Sequence, residues 1–111
     1  MPLLPNAAKA TVHVRKIRDY LLSPDHPRGR DKAAFFASYG FKRAEWSILK
    51  DALLAHAKSN EAVELAPTAY GTKYILSGPL HCPDGRVAIF KTAWIIDAGT
   101  TTPRFVSAVP D

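Results

Sequence analysis

The order of hydrophobic periodicities along the chain predicts an α+β fold, with about three N-terminal helices packed on a C-terminal four-stranded antiparallel sheet. Over residues 43–58, Trp46, Leu49, Leu53 and Ala57 recur as one helical stripe, flanked by Ile48 and Ala52. From Glu61 onward the period falls to two, and Pro83-Asp84-Gly85 and Ala98-Gly99 supply short turns that suit a meander of antiparallel strands. Helices first and strands second is the α+β order.

Each element follows from local chemistry. Residues 1–10 read as an extended arm, and Val12 and Val14 alternate with polar neighbours as in a short strand over 11–14. A first helix is predicted over 15–22, with Ile17, Tyr20 and Leu21 on one face and Ser23-Pro24 as its stop. The second covers 31–39, with Asp31 as N-cap, Phe35 and Phe36 toward the core and Gly40 as the left-handed stop. Strand alternation then appears at Val63 and Leu65, at Tyr70, Thr72, Tyr74 and Leu76, at Ala88, Phe90, Thr92, Trp94 and Ile96, and at Phe105 and Val109. The third strand is apolar on both faces, so the face that meets the helices is open at this point. One domain is expected over 1–111, mainly helical over 11–60 and sheet over 61–109.

Composition narrows the chemistry. Apolar residues make up 47% and charged residues 23%, which is globular composition, and the formal net charge of +5 favours a polyanionic partner such as RNA. With Cys82 as the one cysteine, no internal disulfide and no cysteine-based zinc site can form. No signal peptide or membrane span is read from the N-terminus or from any apolar run, so a cytoplasmic protein without membrane association is expected. His13, His26, His56 and His81 lack metal-ligand spacing, and no glycine-rich phosphate loop follows a strand; neither a metal nor another cofactor is expected. His56, on the flank of the third helix, reads as an exposed or hydrogen-bonded structural histidine.

Metal-independent ribonuclease chemistry fits what is left, because RNA supplies its own nucleophile in the 2′-hydroxyl. The protein then needs a proton-transfer group and cations or hydroxyls around the phosphorus. Ser23-Pro24-Asp25-His26-Pro27-Arg28-Gly29-Arg30-Asp31-Lys32 holds an imidazole and three cations in a proline-stiffened turn. His26 is the candidate acid or base, with Arg28, Arg30, Lys32, Lys73 and Lys91 as the electrophilic set. Thr92 or Tyr70 is a candidate hydrogen-bond donor, and Tyr70, Tyr74 and Trp94 are candidate stacking residues.

Leu4-Pro5-Asn6-Ala7, the run from Leu21 to Ala33 with Phe36, Tyr70-Gly71-Thr72-Lys73-Tyr74, Pro83-Asp84-Gly85-Arg86 and Trp94-Ile95-Ile96 resemble an uncharacterised family of short bacterial domains. That family occurs as solo proteins and as C-terminal modules of polymorphic toxins, and its element order is similar to that of barnase, colicin and RelE-type ribonuclease toxins. The resemblance implies active roles for His26 and Lys32, since the segment matching His26-Pro27, Gly29 and Lys32-Ala33 recurs in toxin-associated relatives. It implies a metal-independent endoribonuclease of bacterial toxin type, restrained by a small acidic antitoxin-like protein. This copy is expected to stand alone, without a delivery domain, and so to act in its own cell. The alternative is a non-catalytic module, either an antitoxin or immunity-type partner or a small RNA-binding protein.

Overall fold

The computed structural model describes residues 3–22 and 30–111. A 3-10 turn at Ala7–Lys9 precedes α1, which is a helical turn, Val14–Lys16, continued by a π-helical stretch, Ile17–Leu21. The helix α2 is Arg30–Ser38; a 3-10 turn at Arg43–Glu45 leads into α3, Trp46–Ser59. Four strands follow: β1 Ala62–Glu64, β2 Gly71–His81, β3 Val87–Asp97 and β4 Arg104–Pro110. They form one antiparallel sheet in the order β1-β2-β3-β4, as the short turns require. The α+β architecture is the one the periodicities predict.

Sequence chemistry sets the end of α2. At its start the N-cap expected at Asp31 lies outside the described residues, since the Asp31 side chain and the residues before Arg30 are not described. At the other end Gly40 takes φ +93°, Phe41 N–H donates to Phe36 O at 3.1 Å and Gly40 N–H to Ala37 O at 3.0 Å. This is a Schellman stop, and its apolar partner contact is the Phe36–Phe41 ring pair at 5.8 Å.

The open question of the third strand is answered by burial. Phe90, Thr92 and Trp94 face the helices and are buried, whereas Val87, Ile89 and Lys91 lie on the opposite, exposed face. The register Gly78↔Phe90, Leu76↔Thr92 and Tyr74↔Trp94 aligns the inner residues of β2 with them. From the helical side Leu49, Leu53, His56 and Ala57 of α3 and Phe36 of α2 complete the core. Phe36 stacks on Phe90 at 5.4 Å, and Trp94 meets Phe105 edge-on at 5.4 Å. Leu49, Leu53, Leu76 and Leu80 add full burial, each stabilising by about 1.5–3 kcal/mol relative to exposure.

The N-terminal arm is shaped and anchored, in contrast to the plain extended run expected. Asn6 adopts a left-handed φ of 55°, and its side-chain amide donates to Thr101 O at 2.6 Å, while Leu4 is buried. Beyond the 3-10 turn the chain reaches β4, where Thr11 forms a parallel bridge with Arg104. No helix among the described residues is long and apolar enough to cross a membrane.

Candidate nucleic-acid interface

The described residues among those singled out by sequence lie in four separate places. His26 and Arg28 are outside the described residues, as is the side chain of Arg30. Lys32 is half-buried in α2 and borders a hollow of about 230 Å³ with Phe35, Phe36, Ala108 and Pro110, on the helical side of the sheet. Lys73 and Lys91 share the outer sheet face, but Lys73 pairs with Ile95 and Lys91 with Ser77, four rungs apart. At about 3.3 Å per residue their backbones are offset by roughly 13 Å, so the two lysines are not side by side. Lys91 lies 3.7 Å from Asp111, and Asp111 also accepts from the Ser77 hydroxyl. Tyr70 is 82% exposed at the sheet end, in a tight turn closed by the Thr68–Gly71 bridge.

Thr92 and Trp94 require correction. Both are fully buried beneath α3, so neither presents a hydroxyl or an indole to a ligand from solvent. They belong to a polar network whose proton directions are fixed by chemistry. His56 Nε2 lies 3.1 Å from the Gly78 carbonyl, which can only accept, so Nε2 carries the proton and Nδ1 the lone pair. The Thr92 hydroxyl, 3.1 Å from Nδ1, therefore donates to it, and Trp94 Nε1–H donates to Thr92 Oγ1 at 3.0 Å. Burial lowers the His56 pKa, opposed by the Gly78 and Phe90 carbonyls that would favour a charged ring. His56 is thus the hydrogen-bonded structural histidine expected from its helical setting. Cys82 is buried as well, and its thiol pKa is raised chiefly by that burial, so little reactive thiolate is present.

A cationic site appears where the sequence reading did not look. Thr11 N–H donates to Pro103 O at 3.0 Å and Phe105 N–H to Thr11 O at 2.9 Å, tying the arm to the edge of β4. Val12 turns inward and is buried, leaving Thr11 and His13 exposed on either side of it. Together with Arg15, Lys16 and Asp19 of α1 and Arg104 and Phe105 of β4, they line an open cleft of about 840 Å³. Arg104 is held by Asp97 through two hydrogen bonds, Nε to Oδ2 at 2.6 Å and Nη2 to Oδ1 at 3.0 Å. The Arg104 hydrogen bond holds the Asp97 carboxyl below the usual carboxylate range, and Arg18 does the same for Asp19. His13 Nδ1 accepts the Arg15 backbone N–H at 3.1 Å, which leaves Nε2 as the protonated ring nitrogen of the neutral side chain. A histidine followed within three residues by Arg15 and Lys16 was the available sequence signal; Arg104 was hidden by its distance along the chain.

The arm, helices and sheet define an α+β domain with a basic cleft at one sheet edge. Residues 3–111 match the family described as Domain of unknown function (DUF6883), and the chain belongs to it. Among curated proteins no sequence matches the chain. The fold is similar to a chain in the solved "Contact-dependent growth inhibition toxin - immunity protein complex from Klebsiella pneumoniae 342". The TM-score is 0.69 at 20% identity, over 90% of this chain and 98% of that one.

Proposed function

We propose that the protein is a toxin-type domain that acts on RNA as a metal-independent endoribonuclease. The observation that carries this reading is the convergence of Arg15, Lys16 and Arg104 with His13 in one open cleft. Arg104 and Lys73 share the rung of Ile95 on the outer sheet face, and the exposed Tyr70 stands at the same end of the sheet. Cations spaced along a path with an aromatic platform suit a single-stranded backbone.

In this reading the 2′-oxygen attacks the adjacent phosphorus, the bond to the 5′-oxygen breaks, a base takes the 2′ proton and an acid protonates the leaving oxygen. His26 is the proton-transfer group, with Arg28 and Arg30 on the same segment, and Lys32, beside its own hollow on the helical side of the sheet, is a further cation for the RNA backbone. The protein works in the cytoplasm and is restrained by a small acidic protein, a proposal supported by the toxin–immunity complex that holds the structural neighbour. A second reading, a non-catalytic binding module, is favoured by the exposed Val63, Val87, Ile89 and Val109, a surface suited to protein contact. Induced expression separates the two: the first predicts growth arrest and RNA fragmentation by the wild-type chain and loss of both in His26→Ala. Harmless expression with intact RNA eliminates the first reading. Under the second, Lys73→Glu weakens RNA binding in a salt-dependent way while His26→Ala leaves it unchanged.

A further inference from the structure

We infer that the cleft between the arm, α1 and β4 is a phosphate-binding site in which His13 is a fixed hydrogen-bond donor. The RNA-directed reading supplies the source of the phosphate; the site itself stands on its geometry. Among the described residues, three cations, Arg15, Lys16 and Arg104, and one carboxylate, Asp19, line the cleft. Asp19 is itself engaged, with Arg18 Nε at 3.0 Å and Arg43 Nη2 at 3.5 Å. The bidentate bond to Asp97 uses Nε and one proton of Nη2 of Arg104, which leaves Nη1 and the second Nη2 proton as donors on a guanidinium that cannot swing freely.

His13 is oriented by comparable logic. Because Nδ1 caps the first turn of α1 by accepting from Arg15 N–H, the neutral ring keeps its proton on Nε2. A ring locked in that tautomer offers a donor and no lone pair to the cleft. Such a donor suits an anionic oxygen. One imidazole N–H, two guanidiniums and one ammonium match the acceptor-rich surface of a single phosphate group.

The experiment uses the whole chain and two probes: inorganic phosphate, and a single-stranded RNA oligonucleotide with 2′-O-methyl sugars that cannot be cleaved. Heteronuclear NMR should show both probes shifting the His13 ring and the amides around Arg15, Lys16 and Arg104. His13→Asn keeps a capping acceptor while removing the ring donor, and should weaken binding of both probes about tenfold, as should Arg104→Gln. Shifts centred elsewhere, or unchanged affinity in both folded variants, overturn the site. Phosphate binding in the cleft by a chain that does not cut RNA upholds the site and removes the ribonuclease reading; cleavage with no phosphate binding in the cleft does the reverse.

Discussion

Replacing Thr92 by Val removes one oxygen from the core and leaves the shape almost unchanged, so it isolates the worth of the His56–Thr92–Trp94 network. Thr92 Oγ1 accepts from Trp94 Nε1–H and donates to His56 Nδ1, and both partners are buried. Neither can turn elsewhere, because His56 Nε2 is committed to the Gly78 carbonyl and the indole is packed edge-on against Phe105. Two buried polar groups are thus orphaned at about 1–3 kcal/mol each, offset by roughly 1 kcal/mol for burying a methyl in place of a hydroxyl. The net expectation is a loss of about 1–5 kcal/mol, a large share of the ~5–15 kcal/mol stability of a domain this size. Thr92→Ser keeps both hydrogen bonds, loses one methyl, and should cost only about 1 kcal/mol. Urea unfolding followed by tryptophan fluorescence reads the difference as a midpoint shift at constant slope, about 1–3 M for the valine variant. A valine variant within about 0.5 kcal/mol of wild type, or a serine variant costing as much as valine, would refute a stabilising His56–Thr92–Trp94 hydrogen-bond network.

Two further expectations concern stability. His56 has a lowered pKa in the fold, mainly through burial, so in the window between its folded and unfolded values the unfolded chain binds more protons. The stability it contributes is complete above the unfolded histidine value of about 6.5 and is lost as pH falls through the folded one. Unfolding free energies measured from pH 8 to 5 should therefore decline below that point, and His56→Gln should flatten this part of the curve. Gly71 has φ +141°, and a Cβ there would overlap the Ile96 carbonyl oxygen, whereas Gly85, at φ +90°, has open space around the same position. Gly71→Ala should lower the melting temperature several degrees more than Gly85→Ala, as scanning calorimetry can show; equal losses would mean that backbone conformation alone sets the cost.

What the sequence revealed depended on how local the cause was. The stripe Trp46, Leu49, Leu53 and Ala57 is contained within one helix, and α3 was read from it closely, as were the turns at Gly85 and Gly99. Which face of β3 is inner was not legible, since Val87, Ile89 and Ile95 are as apolar as the Phe90 and Trp94 face. Packing beneath α3 decides it. Thr92 and Trp94 were assigned to RNA contact because a hydroxyl and an indole suit a binding face as well as a core; only the position of His56 distinguishes the two uses. The cleft was missed because Thr11 and His13 meet Arg104 through a bridge between opposite ends of the chain, and no residue spacing encodes it.

That bridge has a consequence for the order of folding. The clip from Asn6 to Thr101 joins residues 95 apart, and the Thr11 bridge to Arg104 lies beside it. Contacts of such separation carry the largest loop-closure entropy in the chain and reward it only once the strands between them are in place. A nascent chain on the ribosome holds the arm and α1 long before β4 has been made. The cationic cleft cannot exist until β4 has been made and has met the arm, so the arm and α1 wait, unpartnered on that side, for the last strand of the sheet.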